Sequence, residues 1–207
     1  MKPDGGATDE AVRRAAQPTI DALKALEEES EPAVKAFLAD IRENFREPGY
    51  NVDALRLSLG ESNRRFYDRF RAAIGLPPWG LVQQCRMEFA SRLMVTTSLS
   101  ISEIAWLAGY YSVPAFQRLC RSWCGLLPGR LRCRLLELRP LLSRLPEDAW
   151  TWRFYLRCRR SEASTDEVRR WVEYLEELYE DHGPVARESP LAVWERERVK
   201  GEIRGGE

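Results

Sequence analysis

One arrangement of residues occurs twice in this chain, about 50 residues apart. Gly60-x-Ser62-x-x-x-Phe66 returns as Gly109-x-x-Ser112-x-x-x-Phe116, and Gly75 and Gly125 close the two copies. In each copy the first glycine ends a short helix, the serine caps the next, and the phenylalanine begins its apolar face. Leu55 and Leu59 belong to the first short helix, and Ile101, Ile104 and Ala105 to the second. A short helix, a tight turn and a serine-capped helix make a helix-turn-helix unit, so two such units are expected. Between them, Pro77-Pro78 opens a long helix in which Leu81, Val82, Cys85, Phe89, Leu93 and Met94 recur at three and four, until about Thr96-Thr97-Ser98.

The flanks divide the remaining chain. From Pro32, residues Val34, Phe37, Leu38, Ile41 and Phe45 recur at helical spacing until Pro48-Gly49 stops them. Before that, Gly5-Gly6 and Pro18 interrupt an acidic segment whose only stripe is Ile20, Leu23 and Leu26, so residues 1–31 are expected as a flexible arm. Residues 32–135 then form the double unit, and residues 136–207 an extension of unassigned role. In that extension Trp150, Trp152, Phe154, Leu156 and Cys158 alternate with polar residues as in a strand, although Trp150, Phe154 and Cys158 also fit a helix stripe. A capping box at Ser164-Thr165-Asp166-Glu167 precedes a helical stripe from Val168 to Tyr179, and Ser189-Pro190 marks a further start. The expected fold is mainly α, with two helix-turn-helix subdomains, a long linking helix and a small α or α+β extension.

Charge follows the same division. Of 32 basic and 32 acidic residues, residues 1–30 hold 4 and 7, residues 31–140 hold 16 and 10, and residues 141–207 hold 12 and 15. A basic middle between acidic ends fits a polyanionic partner despite zero net charge. No run of about 18 apolar residues suggests a membrane span, and the first residues lack a signal peptide's layout, so a soluble cytoplasmic protein is expected. The five cysteines are an odd number, which fits reduced thiols; Cys120, Cys124 and Cys133 lack a second paired cluster, so no metal is expected. With His182 as the one histidine and no phosphate loop or nucleophile motif, neither an enzyme nor a cofactor is expected.

These residues resemble the double helix-turn-helix domain of the AraC/XylS family of bacterial transcription regulators. Ser100-Ile101-Ser102-Glu103-Ile104-Ala105, Gly109-Tyr110, Phe116-Gln117-Arg118, Gly125, Pro128 and Arg132 fall at the family's spacing, as do Pro78, Arg86-Met87, Ala90 and Leu93-Met94 of the linking helix. The resemblance covers roughly residues 33–132. Departures concentrate in the first unit, where Arg56 and Glu61 replace small or apolar residues and Asp68 replaces a frequent arginine; Pro114 and Cys120 depart in the second.

The resemblance implies double-stranded DNA as partner, with RNA polymerase or another protein open as a second and the effector unassigned. By family position Arg64, Tyr67 and Asp68 would read bases from the first unit, and Val113, Pro114, Gln117 and Arg118 from the second. Arginine suits guanine, glutamine adenine, aspartate cytosine, and an apolar contact the thymine methyl. Ser62 and Ser112 would fix helix N-termini against phosphate, and Arg65, Arg69, Arg71, Arg121 and Arg130 would neutralise phosphates. The alternative is a non-catalytic adaptor that keeps the fold and binds a protein through the tryptophan-rich extension, supported by the charges at Arg56, Glu61 and Asp68.

Overall fold

The computed structural model describes residues 5–58, 60, 63–142 and 144, with 166, 169, 170, 172, 173 and 176 beyond them. Their helices are α1 (Gly5–Glu28), α2 (Pro32–Asn44), α3 (Val52–Ser58), α4 (Asn63–Ile74), α5 (Pro78–Thr96), α6 (Ile101–Leu107), α7 (Val113–Cys124) and α8 (Pro128–Leu142). Met1–Leu136 form one compact unit and Glu137–Glu207 a second.

Helix α2 lays Phe37 against Phe66 and Phe70 of α4, with ring centres 4.8 and 5.6 Å apart. All three rings are fully buried, and each contributes on the order of 1.5–3 kcal/mol by leaving water. Helix α5 is the axis of the unit, with α1, α4 and α6 packed on it. Residues 85–95 are buried in succession, so this stretch of α5 is covered on every side, while Trp79 near its start and Thr96 at its end are exposed.

The opening segment corrects one expectation: residues 5–28 form a continuous helix rather than an arm, running through Pro18 at the loss of one backbone hydrogen bond. Its buried stripe is Val12, Ala15, Ala16, Thr19, Leu23 and Glu27, at helical spacing. The small alanines and a threonine let α1 lie close to α2 and α5, and such residues escape a search for large apolar ones. Polar bonds hold it there. The buried Thr19 hydroxyl donates to Glu88 Oε2 (3.3 Å) and accepts from Arg92 Nη1 (2.9 Å), while Arg42 Nε donates to Glu27 Oε1 (2.7 Å).

The duplicated pattern is also a duplicated backbone: φ is +69° at Gly60 and +80° at Gly109, and +78° at Gly75 and +72° at Gly125. Helix α6 opens on a capping box, in which Ser100 Oγ accepts from the Glu103 N–H while Glu103 Oε2 accepts from the Ser100 N–H (2.7 Å). Helix α7 opens on Ser112, whose hydroxyl accepts from the Ala115 N–H. In α8, Arg132 donates to the Leu99 carbonyl and ties that helix to the end of α5.

In the second compact unit, Arg144 Nε donates to Glu176 Oε1 (2.8 Å), and the described positions 166–176 are helical. The alternating stretch 150–159, the Ser189-Pro190 start, His182 and Cys158 lie outside the described residues.

Candidate nucleic-acid interface

In the second helix-turn-helix unit, Phe116, Leu119, Cys120 and Cys124 turn inward along one side of α7. The opposite side then follows from 3.6 residues per turn. Pro114, Arg118 and Arg121 are exposed there, with Val113 and Gln117 half-buried beside them and Arg130 exposed at the start of α8. Among the described residues, Gln117, Arg118, Arg121 and Arg130 make no hydrogen bond or ion pair. The face therefore offers an amide and three guanidinium groups, the donor set that suits base edges and phosphate oxygens.

The first unit is built differently. Arg65, Asp68 and Arg71 of α4 are exposed, but the Tyr67 hydroxyl donates to Asp53 Oδ1 across the unit at 2.7 Å. Partial burial, and then that carboxylate, raise the Tyr67 pKa above its ordinary value. Arg56, unexpected at a packing position, is indeed buried, and its Nε lies 3.8 Å from the same Asp53 oxygen. The Asp53 side chain is 68% exposed, so only the arginine end of this pair is taken out of water. Arg69 meets Glu31 at 3.3 Å. Asp53, which the sequence reading passed over, thus organises this unit; no spacing rule flags a carboxylate whose partner stands 14 residues away on another helix. Ser62, Glu61 and the Arg64 side chain lie outside the described residues.

A cleft of about 500 Å³ opens beside α7, lined among others by Tyr50, Trp79, Arg86, Tyr111 and Arg118. At its floor Arg86 donates from Nε to the Phe45 carbonyl (2.6 Å) and from Nη2 to the Glu47 carbonyl (2.8 Å). Its guanidinium carbon is 5.6 Å from the Trp79 ring centre and 5.4 Å from that of Tyr110. Burial lowers the Arg86 pKa from its ordinary value.

Residues 57–144 match the family model described as a helix-turn-helix domain. The chain is similar to the transcriptional activator NphR of Rhodococcus sp, 32% identical over 92 residues, which are 44% of this chain and 27% of that protein. It is also similar to the probable bifunctional transcriptional activator/DNA repair enzyme AlkA of Mycobacterium tuberculosis, 32% identical over 83 residues, 40% of this chain and 17% of that one. A solved structure, the C-terminal domain of AraT, a response regulator from Geobacillus stearothermophilus, superposes with a TM-score of 0.47 and 24% identity, covering 50% of this chain and 86% of that one. The chain thus spans about a quarter or less of these two curated relatives. Residues 57–144 are a helix-turn-helix domain of the AraC type.

Proposed function

We propose that this chain is a sequence-specific DNA-binding transcription regulator whose helices α4 and α7 read two successive major-groove segments. The observation that carries the reading is the outward side of α7, where Gln117, Arg118 and Arg121 stand without partners among the described residues on a helix capped by Ser112. Helices of this kind enter the groove by their N-terminal residues, and a duplicated unit on one chain reads an asymmetric site with centres about 34 Å apart. Pro114, Gln117 and Arg118 are assigned to base edges, with Val113 beside them; Arg121, Arg130 and the Ser112 helix start are assigned to phosphates. In the first unit Tyr67, Asp68 and Arg64 are the base-reading candidates, with Arg65, Arg69, Arg71 and Ser62 toward phosphate. Recognition of this kind requires no catalytic group; the repair activity in the name of AlkA is that protein's own.

The adaptor reading draws its support from the first unit, where Tyr67 and Arg69 are already engaged by Asp53 and Glu31. Selection of bound sequences from a random duplex pool, followed by a salt titration of the selected site, separates the two. A regulator enriches one sequence and loses affinity steeply as salt rises; an adaptor enriches none.

A further inference from the structure

The two helix-turn-helix units touch one element outside both of them. The turn of the second unit, at Gly109, lies so close to the loop after α2 that a Cβ there would sit 2.7 Å from the Arg46 carbonyl oxygen and 3.0 Å from the Arg86 guanidinium carbon. Gly109 also has φ +80°, so the position is closed to a side chain by backbone conformation and by space. Two residues on, the Tyr111 hydroxyl lies over Gly49, where an added Cβ would fall 2.2 Å from it. The loop between is held by Arg86 through the Phe45 and Glu47 carbonyls, and Phe45 itself is wholly buried against Phe89 of α5. This loop leads directly into α3, the first helix of the first unit.

We propose that Arg86 is a positioning residue: by gripping the 45–47 carbonyls and backing the Gly109 turn, it fixes the separation of α4 and α7. A guanidinium suits this place because it alone among side chains offers a planar fork of donors with two faces left for aromatic rings. The fork takes the two carbonyls, and the faces meet Trp79 and Tyr110. One buried residue on the linking helix thereby joins the entry to the first unit with the turn of the second. The inference deepens the proposed DNA reading and rests on it for its consequence, a preferred spacing between half-sites.

The test has two arms. In the first, nitroxides on unnatural ketone residues at the exposed positions 73 and 122 report the α4–α7 distance in the full chain without DNA. Arg86→Gln should broaden the distance distribution and Gly109→Ala should shift its mean, each read where helical ellipticity matches the parent. In the second arm, the selected duplex is lengthened by one base pair between half-sites. The parent should lose about tenfold or more in affinity, since one set of base contacts is misplaced, and Arg86→Gln less than about threefold. An unchanged distance distribution in a folded Arg86→Gln or Gly109→Ala overturns the proposal. Loss of folding in both overturns it too, since the contact would then serve folding rather than spacing. If the distances change but no duplex is bound by the parent, the DNA reading fails and the positioning role stands.

Discussion

The two helix-turn-helix units share a backbone and differ in where their polar groups are committed. In α4, Tyr67 is bonded to Asp53, Arg69 faces Glu31, and Asp68 puts a negative charge on the exposed side. In α7, Gln117, Arg118 and Arg121 have no such partners among the described residues. A duplicated fold therefore need not carry a duplicated chemistry. The inward residues of both copies keep one aromatic pattern by packing, the buried Arg56 of the first excepted, whereas outward ones answer only to solvent and ligand and differ more freely.

The largest effects should be common to both copies. Phe66→Ala and Phe116→Ala each remove a fully buried ring, and each should destabilise the unit by about 3–5 kcal/mol in urea unfolding. A much smaller value for Phe66 alone would break the comparison at its root, since the first unit would then be loosely packed as well as differently charged. Next in size is the contrast in DNA binding. Arg118→Ala should lose about 1–3 kcal/mol of discrimination at one base pair, whereas Tyr67→Phe should leave every preference within about 0.5 kcal/mol, because the hydroxyl already serves Asp53 and the ring, which alone is left to meet a base, is kept. Competition binding against single-base variants of the selected site measures both, and equal losses would erase the distinction between the copies.

Caps give a smaller and purely structural contrast. Ser100→Ala removes the hydroxyl arm of the capping box at α6, leaving the backbone N–H of residue 100 bonded to Glu103, and should lower stability by about 1 kcal/mol. At α3 the equivalent duty falls to Asn51, whose side-chain oxygen accepts from the Asp53 and Ala54 N–H groups at 2.9 and 3.2 Å. Asn51→Ala should therefore lower stability by a similar amount of about 1 kcal/mol, read from the shift in urea midpoint at constant slope.

What could be read from sequence follows the same line between inward and outward residues. Gly109, Ser112, Phe116 and Gly125 are legible because each answers to a local rule: a left-handed turn, a cap, a helical face, a helix end. Helix α5 was legible as a helix, but the burial of residues 85–95 all round was not, since Arg86, Glu88 and Arg92 count as polar until Thr19 and the 45–47 carbonyls come to them from distant elements. Helix α1 was missed for a related reason. Apart from Val12 and Leu23, its buried stripe of Ala15, Ala16, Thr19 and Glu27 has little apolar bulk, and only the close approach of α2 and α5 gives it value. The Tyr67–Asp53 bond likewise needs two helices crossing in space, which no interval along the chain encodes.

The finest test addresses the acid that faces the first unit. Glu31 lies 3.3 Å from Arg69 Nε, and both side chains are 44% exposed, so water screens the pair heavily. Glu31→Gln should change stability by less than about 0.5 kcal/mol for that reason. Its effect on DNA should be of another kind, because a carboxylate beside Arg69 repels an approaching phosphate and an amide does not. If α4 lies in the groove, taking the Glu31 charge from beside Arg69 should strengthen binding at low salt and steepen the dependence of log affinity on log salt. The base preferences should stay where they were, since a phosphate contact carries no sequence information. An unchanged salt slope would mean that Arg69 stands away from the duplex, and the first unit would then serve as scaffold for α7 rather than as a second reader.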